Sequence, residues 1–460
     1  MNFAQENLIA IKDRISNILQ ELNSVNSGES SLLDEGQQDI VNLECELSDL
    51  FQAKSFQQKI LTDEFKSKMN ELVGSHPKKA KFKDYRVSNI TFKNGTTIKI
   101  VNPYYILKGV GKKKNKGLFP ALHLLGIYKH CSANLCSYVS QLCSALSSYD
   151  EAQKMLKVNG IDLNIKTIIA ISRQMALQVR LAQKAENYVV TFNDGGKTIV
   201  VSIDGGRVKT REKKTGPKTK KKRNRFKGQW REVKLFVVYL VDENGNKLKQ
   251  QLPIIDGLIG SPETVFNLLK QYLTNIGLTS FEHIVFIADG APWIWNRAKA
   301  MLMSLNLGKV KITEILDYFH AIEHLHKLAK MVHKKPLKQK QWVKACKGLL
   351  MNGKVEGFIK KLKTDTKSFR GKKVTVERNY FINNQARLGY KVATDMGLPL
   401  GSGAIESSIR RVVNLRLKGN SIFWKPESAN DMLLLRSFYK AGRWSDLEKM
   451  AYHGGVQIAA

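Results

Sequence analysis

The chain has 460 residues, with 75 lysines and arginines against 40 aspartates and glutamates, for a formal net charge of +35. This length indicates two or more domains with a large core, and the excess of positive charge favours nucleic acid as a polyanionic partner. No spanning apolar run, signal peptide or basic amphipathic anchor is evident, and the five scattered cysteines argue against a disulfide framework, so we expect a cytoplasmic protein with no membrane partner.

The first segment, residues 1–75, carries apolar residues at helical spacing, as in Leu8, Ile11, Ile15 and Ile18. A serine- and glycine-containing break around residues 24–30 divides it into two or three amphipathic helices. We predict a helical N-terminal arm that packs on the rest of the chain. Oligomerisation is the alternative role, although the heptads are too short to require a coiled coil.

Residues 76–186 are predicted to form a mainly α-helical DNA-binding region that follows a small β-element between about 77 and 118. Helix signals begin at Ser147, break at Asn159-Gly160 and resume at Asn164, with the second helix continuing toward Val179. Two short helices joined by a glycine turn fit a helix-turn-helix, whose second helix would enter a major groove. An ordinary helical hairpin is the alternative.

Residues 187–317 are predicted to form the first part of an α/β ribonuclease-H-like core. Strand patterns occur at residues 197–204, 233–241, 247–254, 283–288 and 310–316, with helix patterns after Ser261 and Asp289. Three neighbouring strands followed by a helix-strand alternation is the order of that fold. A lysine-rich, mainly helical insertion follows at 318–399 and includes helices at 317–333, 341–352 and 378–395. The last part of the core at 400–445 carries a helix with Glu406, and 446–460 is predicted to be a tail.

Three separated acids have positions that fit metal-dependent chemistry. Asp204 and Asp289 end apolar strands and precede glycines, and Glu406 falls in the first turn of a helix that Ser402 is expected to cap. Taken singly, each acid also fits a surface turn or a helix cap. Together they predict a site for two Mg²⁺ or Mn²⁺ ions, which bind carboxylate oxygens and serve phosphoryl transfer.

Basic residues are concentrated near these acids. Residues 207–231 are predicted to form a lysine-rich loop that begins just after Asp204, and the helix after Glu406 is also basic. Phe226, Trp230 and Trp424 are candidates for stacking on exposed bases, with core packing as the alternative. The residues predicted to contact DNA phosphates are Lys209, Arg211, Lys213, Lys214, Lys220, Lys221, Lys222, Arg223, Arg225, Lys227, Arg410, Arg411, Arg416 and Lys418.

Four segments resemble the motif blocks of DDE insertion-sequence transposases of the ISKra type, namely 201–206, 288–295, 315–325 and 401–407. The resemblance covers roughly residues 100–445. It implies Asp204, Asp289 and Glu406 as the catalytic, metal-binding triad. Asp317 followed by His320 resembles the Asp-x-x-His signature shared with Mutator-like transposases and implies a supporting role for both, with a helix cap and a packed histidine as the alternative.

The sequence therefore predicts a bacterial, nucleoid-associated DNA transposase. Such an enzyme would cleave the ends of an insertion sequence at terminal inverted repeats and transfer the 3′-hydroxyl ends into target DNA, both substrates being double-stranded. Because two ends must be joined, a homodimer or higher synaptic complex is expected. The alternatives are a metal-dependent nuclease or resolvase of the same fold, and a non-catalytic DNA-binding protein derived from a transposase.

Overall fold

A computed structural model describes residues 2–25, 35–107, 116–186, 190, 192, 198–220, 222 and 224–452. The chain divides into two compact units, Met1–Tyr188 with Leu447–Ala460, and Val189–Asp446. None of the helices in the described ranges is long and apolar enough to cross a bilayer. The predicted contacts of Lys221 and Arg223, and residues 453–460 of the predicted tail, lie outside the described residues.

The first unit combines helices with a small antiparallel sheet of order β1-β2-β3. Its elements before the second unit are α1 (Asn2–Val25), α2 (Glu35–Leu61), α3 (Asp63–Gly74), β1 (Ala80–Thr91), β2 (Thr97–Leu107), β3 (Lys116–Leu118), α4 (Pro120–Leu124), α5 (Ala133–Ala145), α6 (Tyr149–Val158) and α7 (Ile165–Lys184).

The N-terminal helices share one core with this sheet. Ile15 and Ile18 of α1 are buried in the same apolar cluster as Ile90 of β1 and Ile100 of β2. The side chain of Gln57, on α2, donates to the carbonyl of Val101 and accepts from its N–H, at 3.0 and 2.9 Å. The apolar stripe of α1 is thus covered within the chain, because burial of these side chains removes apolar surface from water.

The predicted helix pair is present in α6 and α7. Ser148 accepts a hydrogen bond from the N–H of Glu151 at 3.0 Å, and Asn164 accepts one from the N–H of Thr167 at 2.9 Å, so a polar side chain caps each helix. The turn between them contains Gly160 at φ 72°. The recognition of DNA by α7 stays a prediction.

The second unit is built on a mixed five-stranded sheet of order β6-β5-β4-β7-β8. β4 and β5, and β5 and β6, pair antiparallel, whereas β7 pairs parallel with both β4 and β8. Its elements up to the last strand are β4 (Thr198–Lys213), β5 (Phe226–Val241), β6 (Ile254–Ile259), α8 (Pro262–Ile276), a 3-10 turn (Leu278–Ser280), β7 (His283–Ala288), α9 (Pro292–Met303) and β8 (Lys311–Leu316).

One predicted strand and one predicted loop differ from the structure. The strand expected at 247–254 is β6, which begins only at Ile254, directly after Pro253. Proline has no backbone N–H to donate to the sheet, which favours a strand that begins after it. The lysine-rich loop predicted at 207–231 is instead largely paired: β4 and β5 continue as a long hairpin from Arg207↔Glu232 to Lys213↔Phe226.

Helices make up the rest of the second unit. The helix predicted at 378–395 is interrupted after Asn383, and the tail predicted from 446 is helical as far as Tyr452, because Leu447, Met450 and Ala451 are buried. The elements are α10 (Tyr318–Val332), α11 (Pro336–Met351), α12 (Val355–Asp365), α13 (Lys372–Asn383), a 3-10 turn (Gln385–Arg387), α14 (Tyr390–Asp395), α15 (Gly403–Ser408), a π-helix (Ile409–Asn414), α16 (Leu415–Leu417), α17 (Pro426–Ala441) and α18 (Trp444–Tyr452), whose residues from Leu447 belong to the first unit.

Candidate active site

Three aspartates lie in one row at the carboxyl ends of the parallel strands. Ser202 of β4 is paired with Ile287 of β7, which is paired in turn with Ile315 of β8. In each strand the residue two positions later is an aspartate, and residues two apart lie on the same face of a sheet. The register therefore brings together, on neighbouring strands, Asp204, Asp289 and Asp317.

The sequence predicted that Asp204 ends a strand. This prediction was wrong, because Asp204 lies in the middle of β4. Parallel pairing with β7 stops at Ser202, whereas antiparallel pairing with β5 continues beyond Asp204 to Lys213. The carboxylate thus lies just beyond the point where β7 leaves the sheet and only β4, β5 and β6 continue side by side. Its Oδ1 accepts a hydrogen bond from the N–H of Gly205 at 2.6 Å.

Asp289 directly follows β7, as predicted. Its Oδ1 accepts a hydrogen bond from the N–H of Ala291 at 3.0 Å, and its backbone carbonyl accepts one from the indole of Trp295 at 2.6 Å. α9 begins at Pro292, where the missing N–H costs the helix nothing. These bonds fix the turn between β7 and α9 in which Asp289 lies.

Asp317 links the sheet to two helices. Its Oδ1 caps α10 by accepting from the N–H of His320 at 2.9 Å, and its Oδ2 accepts from the N–H of Ser402 at 2.6 Å and from the Ser402 hydroxyl. The prediction that Ser402 caps the next helix was wrong, because its hydroxyl is donated to Asp317 and makes no cap bond. Burial favours the neutral form of Asp317, but the hydrogen bonds outweigh it and lower its pKa to about 2.

Glu406 occupies the first turn of α15, as predicted, and its side chain is 51% exposed. Nδ1 of His320 lies 3.6 Å from Oε1 of Glu406 and 3.5 Å from Oδ1 of Asp317. Among the described residues, the ligand atoms of Asp317, His320 and Glu406 all lie within 4.8 Å of one another, close enough to share a metal ion. The predicted triad of Asp204, Asp289 and Glu406 is not brought together to this distance.

The electrostatics couple these residues to the other two aspartates. Burial raises the pKa of Asp204 to about 6, with further contributions from the Asp289 and Glu406 carboxylates. The pKa of Asp289 is also raised, first by burial and then by Asp317. The Asp317 carboxylate chiefly raises the pKa of His320 to about 9, so the imidazole is protonated at neutral pH. The site therefore concentrates carboxylates whose mutual repulsion is offset in part by His320 and, at Asp289, also by His324.

Comparisons with known proteins add little to this geometry. No model of a known protein family matches the sequence, and no curated protein matches it. A solved structure similar to this chain is the Drosophila P element transposase strand transfer complex, at 12% identity and a TM-score of 0.35, over 70% of this chain and 94% of that chain. The functional interpretation therefore depends on the site itself.

The predicted DNA contacts divide into exposed and buried residues. Those on the hairpin at Arg211, Lys213, Lys214, Lys220, Lys222, Arg225 and Lys227 are exposed, as are Arg410 and Lys418. Lys209 and Arg411 are half-buried, and Arg411 donates to the carbonyl of Lys440 at 3.4 Å. The predicted phosphate contact of Arg416 does not fit its position, because it is 5% exposed and its guanidinium lies 5.0 Å from the ring centroid of Trp424.

Sequence analysis missed Tyr380. This residue of α13 stacks on the imidazole of His324 with ring centroids 3.8 Å apart, and Nδ1 of His324 lies 2.5 Å from a carboxylate oxygen of Glu377. The Tyr380 ring lies against Gly290, where an added Cβ would be 2.1 Å from its Cε2. The helical tract after β8 thus reaches back to Asp289, and the nearest signal in the sequence is the glycine itself, which leaves room for the ring.

Proposed function

We propose that the protein is a DNA transposase of the DDE type, with a ribonuclease-H-like core, that cleaves DNA at the ends of an insertion sequence and transfers the 3′-hydroxyl ends into target DNA. The observation that carries the proposal is the row of Asp204, Asp289 and Asp317 just beyond the last parallel pairs of three adjacent strands, with Glu406 beside it. Strand order β6-β5-β4-β7-β8, with three antiparallel strands followed by two parallel ones, supports the core assignment. The motif resemblance to ISKra-type transposases agrees with the assignment of the acidic residues and with that of the core.

The donor set fits divalent metal ions. Carboxylate oxygens are the ligands that Mg²⁺ and Mn²⁺ prefer, and the pKa values of Asp204 and Asp289 are raised chiefly by burial and further by neighbouring carboxylates, which a bound cation would offset. We assign Asp204, Asp289 and Glu406 as the residues that would hold two such ions. When bound, the ions supply Lewis-acid stabilisation of phosphoryl transfer and a water of lowered pKa.

The protein's own groups have distinct tasks in this proposal. Asp317 positions α10 and the turn before α15 through its hydrogen bonds to His320 and Ser402, and so sets the place of Glu406. His320, charged at neutral pH and 3.6 Å from Glu406, neutralises part of the acidic cluster and would attract a phosphate group bound there. The exposed lysines and arginines of the β4–β5 hairpin would contact the DNA backbone and supply affinity without sequence information.

The test is strand cleavage and joining by the full chain in Mg²⁺. The substrate is a plasmid that carries the coding region with its own flanking DNA, and a second plasmid is the target. Asp289→Asn should lower cleavage by more than about 100-fold, since loss of an inner ligand costs at least as much as loss of an outer-sphere partner. The matched control is Glu282→Gln, an exposed acid at the opposite end of β7, which should cleave like the parent.

The products separate the proposal from its alternatives. Ends that are cut and joined to the target plasmid support a transposase. Ends that are cut but never joined assign the site to a nuclease or resolvase, and binding without any cut assigns a non-catalytic DNA-binding role. Full cleavage by Asp289→Asn overturns the metal-ligand assignment whichever products form. Cross-linking of the DNA complex would show whether two copies act together, as joining of two ends requires.

A further inference from the structure

The outer part of the β4–β5 hairpin carries a third extended segment. The N–H of Trp424 donates to the carbonyl of Lys209 at 3.0 Å, and the N–H of Arg211 donates to the carbonyl of Trp424 at 2.8 Å. Residues 208–213, 226–230 and 423–425 therefore form a narrow three-stranded ribbon, with Thr210 and Trp424 bridged in parallel. The bridge holds the hairpin against the rest of the second unit.

One face of the ribbon is buried at its centre, along β4 and the third segment, whereas the β5 residues of that face are exposed. Val208 and Thr210 are both 0% exposed, and Trp424, on the same face by strand alternation, is 7% exposed. Arg416 lies over the Trp424 ring on this side. The ribbon therefore has a fixed orientation, and its opposite face is turned to solvent.

Aromatic rings occupy the opposite face, which we call the aromatic face. Trp230 and Phe226 are 54% and 45% exposed and stand on either side of Gly228 in β5. The Phe423 ring lies over Gly228, where an added Cβ would be 2.8 Å from its Cε1, and its centroid is 5.1 Å from that of Phe226. Trp230 and Phe226 thus stand apart on one face with the Phe423 ring over the glycine between them, and an exposed apolar patch of this kind is typical of a binding surface.

The charges on the aromatic face are positive. Nζ of Lys209 lies 5.1 Å from the centroid of Trp230 and 5.6 Å from that of Phe423. Strand pairing puts Arg211 and Lys213 on this face, because Arg211 is opposite Gly228 and Lys213 is opposite Phe226. Of the two nearby acids, Glu212 alternates to the other face, where it is 2.5 Å from Arg231, and Glu232, on the same face as Trp230, is paired with Nζ of Lys234 at 2.8 Å.

We propose that the aromatic face binds unpaired nucleotides of single-stranded DNA. Trp230 and the Phe226–Phe423 pair would stack on bases, and Lys209, Arg211 and Lys213 would contact the phosphates between them. Aromatic rings within a basic groove have this complementarity because every base has a π-face, and a duplex hides that face within its own stack. The inference rests on the proposed function in one respect, since it takes DNA as the substrate and assigns this face to the frayed or cleaved strand.

The test is binding of the full chain to a labelled oligodeoxythymidylate of about twelve nucleotides, followed by fluorescence anisotropy in EDTA. Trp230→Ala should weaken binding by about 10-fold or more, and Trp230→Phe should retain most of it. An abasic oligomer with the same number of phosphates should bind the wild type more weakly than the thymidylate does. Of the six tryptophans, all of them described, Trp230 is exposed, Trp293 is half-buried and the other four are buried, so quenching by the oligomer that is lost in Trp230→Ala reports stacking on Trp230.

Salt dependence separates stacking from charge. Trp230→Ala should keep the wild-type slope of log affinity against log salt, whereas Lys209→Gln should lower it by about 0.7, the value for one phosphate of a single strand that is no longer neutralised. Leu337→Ala, at an exposed apolar position of α11, is the matched control and should bind like the wild type.

Three outcomes overturn the inference: wild-type affinity in Trp230→Ala, equal affinity of the wild type for the abasic oligomer, or tighter binding of oligouridylate RNA than of the matching deoxyuridylate. Because binding is measured without divalent ions, it does not depend on cleavage. If the protein binds the oligomer by stacking but never cuts DNA, this inference stands and the proposed function fails. If it cuts DNA but does not bind the oligomer by stacking, the proposed function stands and this inference fails.

Discussion

Ser402 donates both its backbone N–H and its hydroxyl to Oδ2 of Asp317, a residue 85 positions earlier in the chain. Both residues are buried, so the bond fixes the turn before α15 to the end of β8. Asp317 in turn caps α10, and the same carboxylate thereby orients the helix that carries His320 and the helix that carries Glu406.

The first prediction concerns this bond. Ser402→Ala removes the hydroxyl but keeps the N–H, and a hydrogen bond to a charged group contributes about 1.5–3 kcal/mol. We expect the free energy of unfolding in urea to fall by about that amount, with a larger loss of DNA cleavage because Glu406 is no longer held. Ser407→Ala, at an exposed position of the same helix, is the control and should leave stability unchanged within about 0.5 kcal/mol. An equal effect of both substitutions would show that the Asp317 bond has no special role.

A second prediction follows from the raised pKa of Asp204. Its folded pKa of about 6, against an unfolded value of 3.8, means that the stability it contributes is present below about pH 4 and is lost as the pH rises through 6. In EDTA at pH 8, Asp204→Asn should therefore raise the free energy of unfolding, by at most about 3 kcal/mol.

Divalent ions should reverse the order of stability of the wild type and Asp204→Asn. Mg²⁺ or Mn²⁺ should raise the melting temperature of the wild type in a concentration-dependent way, because a ligand that binds only the folded state stabilises it by mass action. Asp204→Asn should show little such increase, and Glu282→Gln should respond like the wild type. A melting temperature of the wild type that is independent of both ions would contradict the assignment of a metal site.

The row of aspartates could be predicted from the sequence, but its partners could not. Apolar runs that each end in an aspartate, as at Asp204, Asp289 and Asp317, indicate buried strands, and parallel pairing brings such positions together, although β4 itself continues past Asp204. Hydrophobic periodicity is local, however, and contains nothing that pairs Ser402 with Asp317 or Tyr380 with Gly290. As an N-cap the Ser402 oxygen would accept a hydrogen bond from a backbone N–H of α15, but its hydroxyl instead donates to the buried Asp317 carboxylate, a charge-assisted bond.

The hairpin shows a second limit of sequence reasoning. Its many lysines are typical of a solvated loop, yet Val208 and Thr210 alternate with them and are buried, which makes a strand. The same alternation separates Phe423 from Trp424: the larger ring turns inward and the smaller one outward. Register across two strands and a distant segment decided which aromatic residues face solvent, and a single sequence does not specify that register.

A third prediction tests the phosphate contacts of the hairpin. Lys213 and Lys227 are exposed, and we expect Lys213→Gln/Lys227→Gln to lower the slope of log affinity for duplex DNA against log salt by about 1.8, or 0.9 for each phosphate that is no longer neutralised. The measurement is a salt titration of binding by fluorescence anisotropy. Lys12→Gln/Lys68→Gln removes the same charge from exposed positions of α1 and α3 and should change the slope by much less. Equal slopes for the two variants would refute direct contacts by the hairpin.

A fourth prediction concerns pH and His283, at the start of β7. Burial, with a contribution from Lys311, lowers the pKa of its imidazole, and its Nε2 is 2.8 Å from the hydroxyl of Thr313. A depressed pKa means that its contribution to stability is present above about 6.5 and is lost as the pH falls through the folded value. Wild-type stability should thus fall more between pH 7.5 and pH 5 than that of His283→Gln, in urea titrations. A parallel fall in both proteins would rule out His283 as the titrating group.

The last prediction concerns the contact between Gly290 and Tyr380. A Cβ at residue 290 would lie 2.1 Å from the ring of Tyr380, and that ring is held in place by its stack on His324. Gly290→Ala should therefore destabilise the protein by about 1–3 kcal/mol through overpacking, and it should displace Asp289, its neighbour in the chain. The measurements are urea unfolding and Mg²⁺-dependent cleavage. Gly348→Ala, in the interior of α11 with open space around it, is the control and should instead stabilise by about 0.5–1 kcal/mol.

A double-mutant cycle makes this last test specific. Tyr380→Ala removes the ring that meets the new methyl group, so Gly290→Ala should cost much less in that background, with a coupling energy of about 1 kcal/mol or more. Additive effects would mean that Gly290 is needed for its backbone and not for the space it leaves. If the double variant regains stability but not cleavage, Tyr380 has two separate roles. Its ring would then be needed to position Asp289 as well as to pack against residue 290.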